Sequence, residues 1–143
     1  MSIEFNFPVK VSLANRARLK EFIILIFRKE KKKMGDISFV FCSDGYLLEI
    51  NRAYLNHHYF TDIITFDLSQ QNSGIVDGEI YISVDTVKAN AKRFHTTLTN
   101  ELHRVIFHGV LHLCGYNDKT ARDQSQMTEM EDHYLALFLK RST

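Results

Sequence analysis

The stretch Phe107–Lys119, FHGVLHLCGYNDK, holds the residues best suited to chemistry. His108 and His112 stand four apart, so on a helix both imidazoles project from one face within reach of a single ion. Gly115 then stops the helix and reverses the chain, which returns the side chain of Asp118 toward the pair. The pattern H-x3-H-x2-G-x2-D supplies two imidazoles and a carboxylate, a donor set for zinc that leaves one position open. Histidine pairs at this spacing also arise as plain structural residues. The glycine and aspartate in register, and the apolar Val105, Ile106, Val110, Leu111 and Leu113 that bury the same helix, favour the metal. A metalloprotease of this pattern carries a glutamate general base directly after the first histidine. Here that residue is Gly109, so peptide hydrolysis is disfavoured. No residue stands out as a general base, and that role is unassigned.

The elements around the motif follow from periodicity. Ile3, Phe5 and Phe7 alternate with polar residues, as in a half-buried strand that ends near Pro8. Between Leu13 and Met34 the apolar Leu19, Phe22, Ile23, Ile26 and Phe27 recur at helical spacing. Gly35 reads as the stop, and the lysines crowd a last turn whose dipole favours cations. Ile37–Cys42 reads as a strand and Asp44–Leu55 as a helix, with Asp62–Asp67 and Glu79–Val84 as two further strands. The polar segment Ser69–Gly78 reads as a turn or loop. Helices are expected over Thr86–Phe94 and Leu98–Leu113, and a last one, opened by a Thr120/Asp123 capping box, runs to about Lys140. The expectation is one α+β domain over residues 1–143. A small mixed sheet of about four strands packs with about five helices, with a zincin-like metal site at a helix end.

Composition narrows the classes. The 143 residues suit a single domain with a real core. The longest apolar run, Phe22–Phe27, is far short of the roughly twenty residues that span a bilayer. The start, MSIEFNFPVK, lacks a secretory pattern, and two cysteines are too few for a disulfide framework. A cytoplasmic protein without membrane partners is expected. The formal net charge of +1 hides an asymmetry: residues 1–35 hold nine basic and three acidic side chains, against nine and fourteen in the remainder. A basic face is therefore available to a near-neutral chain.

HGVLHLCGY closely resembles the signature of the YbeY family of ribosomal RNA maturation factors. ELHRVIFHG (Glu101–Gly109), TDIITF (Thr61–Phe66) and GEIYIS (Gly78–Ser83) agree with it. The resemblance covers roughly residues 36 to 118, and the flanks match only in a basic first helix and an acidic last one. It implies an α+β fold with a zinc beside the sheet, and a single-strand-specific, metal-dependent endoribonuclease. It also implies work on the 3′ end of small-subunit ribosomal RNA and in ribosome quality control. The metal ligands it implies fall on His108, His112 and residue 118, where the family usually has histidine and this chain has Asp118. A carboxylate still ligates zinc, but it leaves the ion a weaker Lewis acid and makes harder ions such as Mn²⁺ better tolerated. The family also generally reads Tyr-Arg before the TDIITF-like strand, an arginine associated with RNA cleavage; here Tyr54 is followed by Leu55.

Candidates to replace that cation are His57, His58 and Arg104, although an exposed pair is the plain reading of the two histidines. The run Arg28, Lys29, Lys31, Lys32 and Lys33 is a candidate RNA contact whose plain alternative is a solvated helix end. His95, His103 and His133 read as structural, Cys114 as buried and inert, and the phenylalanines as core rather than base-stacking platforms. The expected cofactor is one Zn²⁺ per chain, with Mn²⁺ or another divalent ion admitted by Asp118. The expected partners are single-stranded RNA and the ribosomal RNA of the small subunit. Two alternatives belong to other classes: a non-catalytic, metal-stabilised ribosome assembly factor and a metalloprotease-like hydrolase.

Overall fold

The computed structural model describes residues 1–56 and 61–141. Four strands, β1 (Ser2–Asn6), β2 (Lys33–Cys42), β3 (Ile63–Asp67) and β4 (Ile75–Ser83), form one mixed sheet in the order β1-β2-β4-β3. β1, β2 and β4 are parallel, while β3 runs antiparallel to β4 at the sheet edge. The helices are α1 (Arg16–Lys29), α2 (Asp44–Leu55), α3 (Val84–Arg93), α4 (Leu98–Leu113) and α5 (Ala121–Arg141). The α+β expectation, with four strands and five helices, holds.

Strand alternation divides the core. Ile37, Phe39 and Phe41 of β2 with Ile80 and Ile82 of β4 meet α1, α4 and α5 through Phe22, Ile23, Phe107 and Tyr134. The opposite face is thinner: Cys42 and Ile64 pack under Leu47 and Ile50 of α2, with Phe66 and Tyr81 only partly covered.

Several boundaries differ from the sequence expectation, among them the start of β2, at Lys33 rather than Ile37. α1 ends at Lys29, and Lys31 turns the chain at φ 59, so Lys31–Lys33 lie in the connection to β2 and its first residue rather than in a last helical turn. Gly35 is not the helix stop. It sits inside β2 at a register shift, where an added Cβ would lie 2.1 Å from Asp77 Oδ1. That carboxylate accepts the Asp36 backbone N–H at 2.7 Å, so glycine is needed to let it approach. β4 also begins four residues before the expected Glu79, because Ile75 and Val76 pair with Lys33 and Met34.

Among the described residues, no helix is long and apolar enough to cross a membrane.

Candidate metal centre and cleft

α4 carries the two histidines, and its seat on the sheet is set by Gly109. A Cβ there would lie 2.9 Å from two carbons of Ile80 and 3.1 Å from Ile63. The helix backbone therefore rests directly on β3 and β4, a seat that any side chain would push outward. The Thr97 hydroxyl caps its start by accepting from Asn100 N–H at 3.0 Å. At the other end Gly115 takes φ 109, which L side chains rarely adopt. Gly115 and Tyr116 N–H donate back to His112 and Leu111 carbonyls at 3.1 Å each. The turn is held from outside as well. Tyr116 Oη donates to Glu30 Oε1 at 2.8 Å, and Tyr134 Oη donates to the other oxygen of the same carboxylate.

That turn brings Asp118 back to α4. Asp118 Oδ2 lies 3.4 Å from His108 Nε2, while His108 Nδ1 is 2.6 Å from Glu131 Oε2 of α5. Glu131 is 7% exposed, and its second oxygen accepts from Arg104 Nη1 at 2.9 Å. Arg104 Nη2 donates to Asp132 at 2.6 Å. Burial alone depresses the His108 pKa, but the hydrogen bond and charge of Glu131, with Asp62 and Asp118, outweigh it and hold the imidazole above its ordinary value. Asp62, just before β3, feels the same group: burial raises its carboxyl, and His108 partly offsets that.

His108, His112 and Asp118 line one cleft of about 190 Å³. Asn51 and Leu55 of α2 form one wall, and Thr61, Ile63 and Thr65 run along its floor beside β3. The ladder leaves the rim of that strand open. Ser83 N–H bonds the Asp62 carbonyl and Leu68 N–H bonds the Asp77 carbonyl, so alternate residues Ile63 and Thr65 aim their backbone groups away from β4. No lysine or arginine lines the cleft among the described residues.

Among the described residues, no group of three or more His, Cys, Asp or Glu side chains is already arranged to hold an ion. The pair His108–Asp118 nonetheless fits one. Two donors at about 2.0–2.1 Å on a tetrahedral ion stand about 3.3 Å apart, and Nε2 and Oδ2 stand at 3.4 Å. Nδ1 on a buried carboxylate is the usual outer bond of a ligating histidine, because it directs the Nε2 lone pair outward. His112 lines the same recess.

The other sequence candidates separate. Leu55 is in the cleft wall, 40% exposed, so the position matched to the family arginine presents an apolar side chain. Arg104 does not replace it: both guanidinium ends are bound to Glu131 and Asp132, and it belongs to the support of His108. His57 and His58 lie outside the described residues. Arg28, Lys29, Lys31, Lys32 and Lys33 are all exposed. Glu30, within that run, touches Tyr116, so the basic turn abuts the Gly115 turn between His112 and Asp118. Cys114 is buried, and desolvation pushes its thiol up to about 12, far from a reactive thiolate.

Glu131, Glu30 and Asp62 were missed by sequence reasoning. Glu131 had a usable signal. It falls in the apolar stripe Met127, Tyr134, Leu135, Phe138 of α5, where a carboxylate is buried only with a partner. Glu101 breaks the stripe of α4 in the same way.

The profile of the family described as Endoribonuclease YbeY matches residues 6–138. The chain is 45% identical over 133 residues to an endoribonuclease YbeY of Cytophaga hutchinsonii, covering 93% of this chain and 92% of that one. It is 54% identical over 106 residues to the endoribonuclease YbeY of Parabacteroides distasonis, covering 74% and 73%. A solution structure of TM1509 from Thermotoga maritima superposes with a TM-score of 0.65 at 26% identity, covering 98% of this chain and 91% of the other.

Proposed function

The chain belongs to the YbeY endoribonuclease family, and on that premise we propose that residues 1–143 form one metal-dependent catalytic unit. It cuts single-stranded RNA internally in ribosomal RNA maturation, at the 3′ end of the small-subunit RNA, and in ribosome quality control in the cytoplasm. The observation that carries the reading is the facing of His108 Nε2 and Asp118 Oδ2 in a cleft shared with His112, over the open rim of β3.

His108, His112 and Asp118 are the proposed ligands of one zinc ion, with Mn²⁺ admitted by the hard carboxylate oxygen of Asp118. Bound there, a divalent ion supplies Lewis acidity to a phosphoryl oxygen and acidity to a coordinated water. Glu131 accepts from His108 Nδ1 and so fixes the ring, and Arg104 holds that carboxylate in place. The outward N–H groups of Ile63 and Thr65 are neutral donors for phosphate oxygens, in a cleft whose walls carry no cation among the described residues. Net positive charge for the strand comes from Arg28, Lys29, Lys31, Lys32 and Lys33 beside the ligand turn.

The uncharged cleft wall at Leu55 favours a second reading, a metal-stabilised assembly factor that binds RNA without cutting it. Metal analysis paired with cleavage assays on single-stranded RNA and casein separates the readings, using wild type and His112→Ala. The expected result is one ion per chain and metal-dependent internal cuts in RNA that the variant abolishes. RNA bound but uncut with Zn²⁺, Mn²⁺ and Mg²⁺ establishes the assembly factor, and casein cleavage overturns both. Asp118→Ala lowers metal affinity sharply and Asp118→His preserves or raises it; unchanged affinity in the alanine variant removes Asp118 from the site.

A further inference from the structure

A second recess lies on the thin face of the sheet, where α2 stops short of covering β3 and β4. Its volume is about 310 Å³, within the range of small-ligand pockets. Three large side chains are left open around it: Tyr54 is 74% exposed, Leu68 52% and Tyr46 49%. Below them the aromatic rings are ordered. Tyr54 meets Phe66 edge to face at 6.1 Å, and Phe66 meets Tyr81 edge to face at 5.8 Å. Tyr54 thus rests edge-on against Phe66 while most of it faces solvent.

The lining chemistry selects the occupant. Among the described residues no lysine or arginine lines this recess, and its one charged side chain is the carboxylate of Glu79. A phosphate finds no cation there among the described residues and is repelled by Glu79. An unpaired nucleobase has a π face for the tyrosines and amino hydrogens that a carboxylate accepts. The recess also continues the metal cleft. Along α2, Asn51 and Leu55 face the cleft while their neighbours Ile50 and Tyr54 face the recess; on β3, Thr65 lines the first and Phe66 the second. The two share one wall, so a strand lying on the rim of β3 passes from one to the other.

We propose that the Tyr46–Tyr54–Phe66–Tyr81 recess is a nucleobase subsite that seats one unpaired base of the RNA whose phosphate lies in the metal cleft. Glu79 gives it a preference for bases with an exocyclic amino group. The proposal rests on the RNA reading above and adds a residue-level basis for single-strand selectivity, because a paired base presents neither its face nor its free amino edge.

The test uses the full-length, metal-loaded protein and short oligo(A), oligo(C) and oligo(U) RNAs, with a duplex of mixed sequence as control. Kd, KM and kcat are measured for wild type, Tyr54→Ala, Tyr54→Phe and Glu79→Gln. Tyr54→Ala raises Kd and KM for single strands by roughly 5- to 100-fold, the range for loss of one base stack. It leaves kcat and the weak binding of duplex little changed, and Tyr54→Phe restores affinity. Glu79→Gln narrows the preference for oligo(A) and oligo(C) over oligo(U). Tyrosine emission, unobscured because the chain has no tryptophan, falls on binding in wild type and falls less in Tyr54→Ala. If wild type binds and cuts RNA while Tyr54→Ala matches it on single strands, the subsite is wrong and the recess is left to a protein partner. If wild type neither binds nor cuts RNA, the functional reading fails instead. Tyr54 is exposed, so an unchanged melting temperature in Tyr54→Ala shows that its effect is not one of folding.

Discussion

At the scale of single residues, Glu131 decides which nitrogen of His108 faces the cleft. With Nδ1 held on its carboxylate at 2.6 Å, only Nε2 is presented to Asp118. Glu131→Gln keeps an acceptor of nearly the same shape but removes the charge that makes His108 a stronger donor and balances Arg104. Metal affinity, read by competition with a chromogenic chelator, is expected to fall about 10- to 100-fold in this variant. Unchanged affinity shows that the contact is incidental to the ion. The motif residues His108, His112 and Asp118 were legible because helical period and a glycine turn are local rules. Glu131 was not, since its partner lies 23 residues away and only tertiary packing brings α5 against α4. Arg104 shows the converse: its sequence suggests a free cation near the motif, and folding spends both ends of it on carboxylates.

At the scale of elements, the contact of α4 with the sheet explains why the protease base is absent. Any side chain at position 109 meets Ile80 and Ile63, so a glutamate there would demand a lifted helix and a relocated pair of histidines. Gly109→Ala is therefore expected to destabilise the protein by about 1–3 kcal/mol through overpacking. It should weaken metal binding as well, although the methyl group touches no ligand. Urea unfolding of the metal-free protein measures the first effect and chelator competition the second. A variant as stable as wild type that binds metal equally well shows that the sheet yields at Ile80 and that the seat of α4 is not tight. Helices were legible where caps and stripes coincide, as in α2, whose Ser43 cap and Asn56 end match the expected Asp44–Leu55. The α1–β2 join was not, because Gly35 imitates a helix stop, whereas its actual cause is the approach of Asp77 from β4. Lysines assigned to a helix dipole thereby become a turn, and that turn contacts the Gly115 turn through Glu30 and Tyr116.

At the scale of the whole molecule, one sheet divides two environments: a deep core against α1, α4 and α5, and a shallow face under α2 that leaves aromatic side chains open. On the deep side a partly buried histidine is set among aromatic rings. His103 of α4 stacks on Phe107 and meets Phe138 edge on at 4.9 Å, with Arg18 over the other ring at 3.8 Å. Burial, and secondarily the charge of Arg18, lower its pKa from 6.5 to about 4. The unfolded chain protonates this imidazole near 6.5, so between that pH and about 4 it binds a proton that the folded protein refuses. The stabilisation is complete above pH 6.5 and is lost as the pH falls toward 4, reaching about 2 kcal/mol at pH 5. His103→Phe keeps an aromatic ring in the cluster and removes the titration. Urea midpoints measured from pH 7.5 to 4.5 should fall more steeply in wild type than in the variant. Taking the difference between the two proteins cancels the titration of His108 and the carboxylates, which both share. Parallel pH profiles mean that His103 titrates alike folded and unfolded, which requires that water reach it beside α1 and α5. The same packing bears on the proposed site, because His108 and His112 keep their places over the cleft only while α4 stays seated on the sheet.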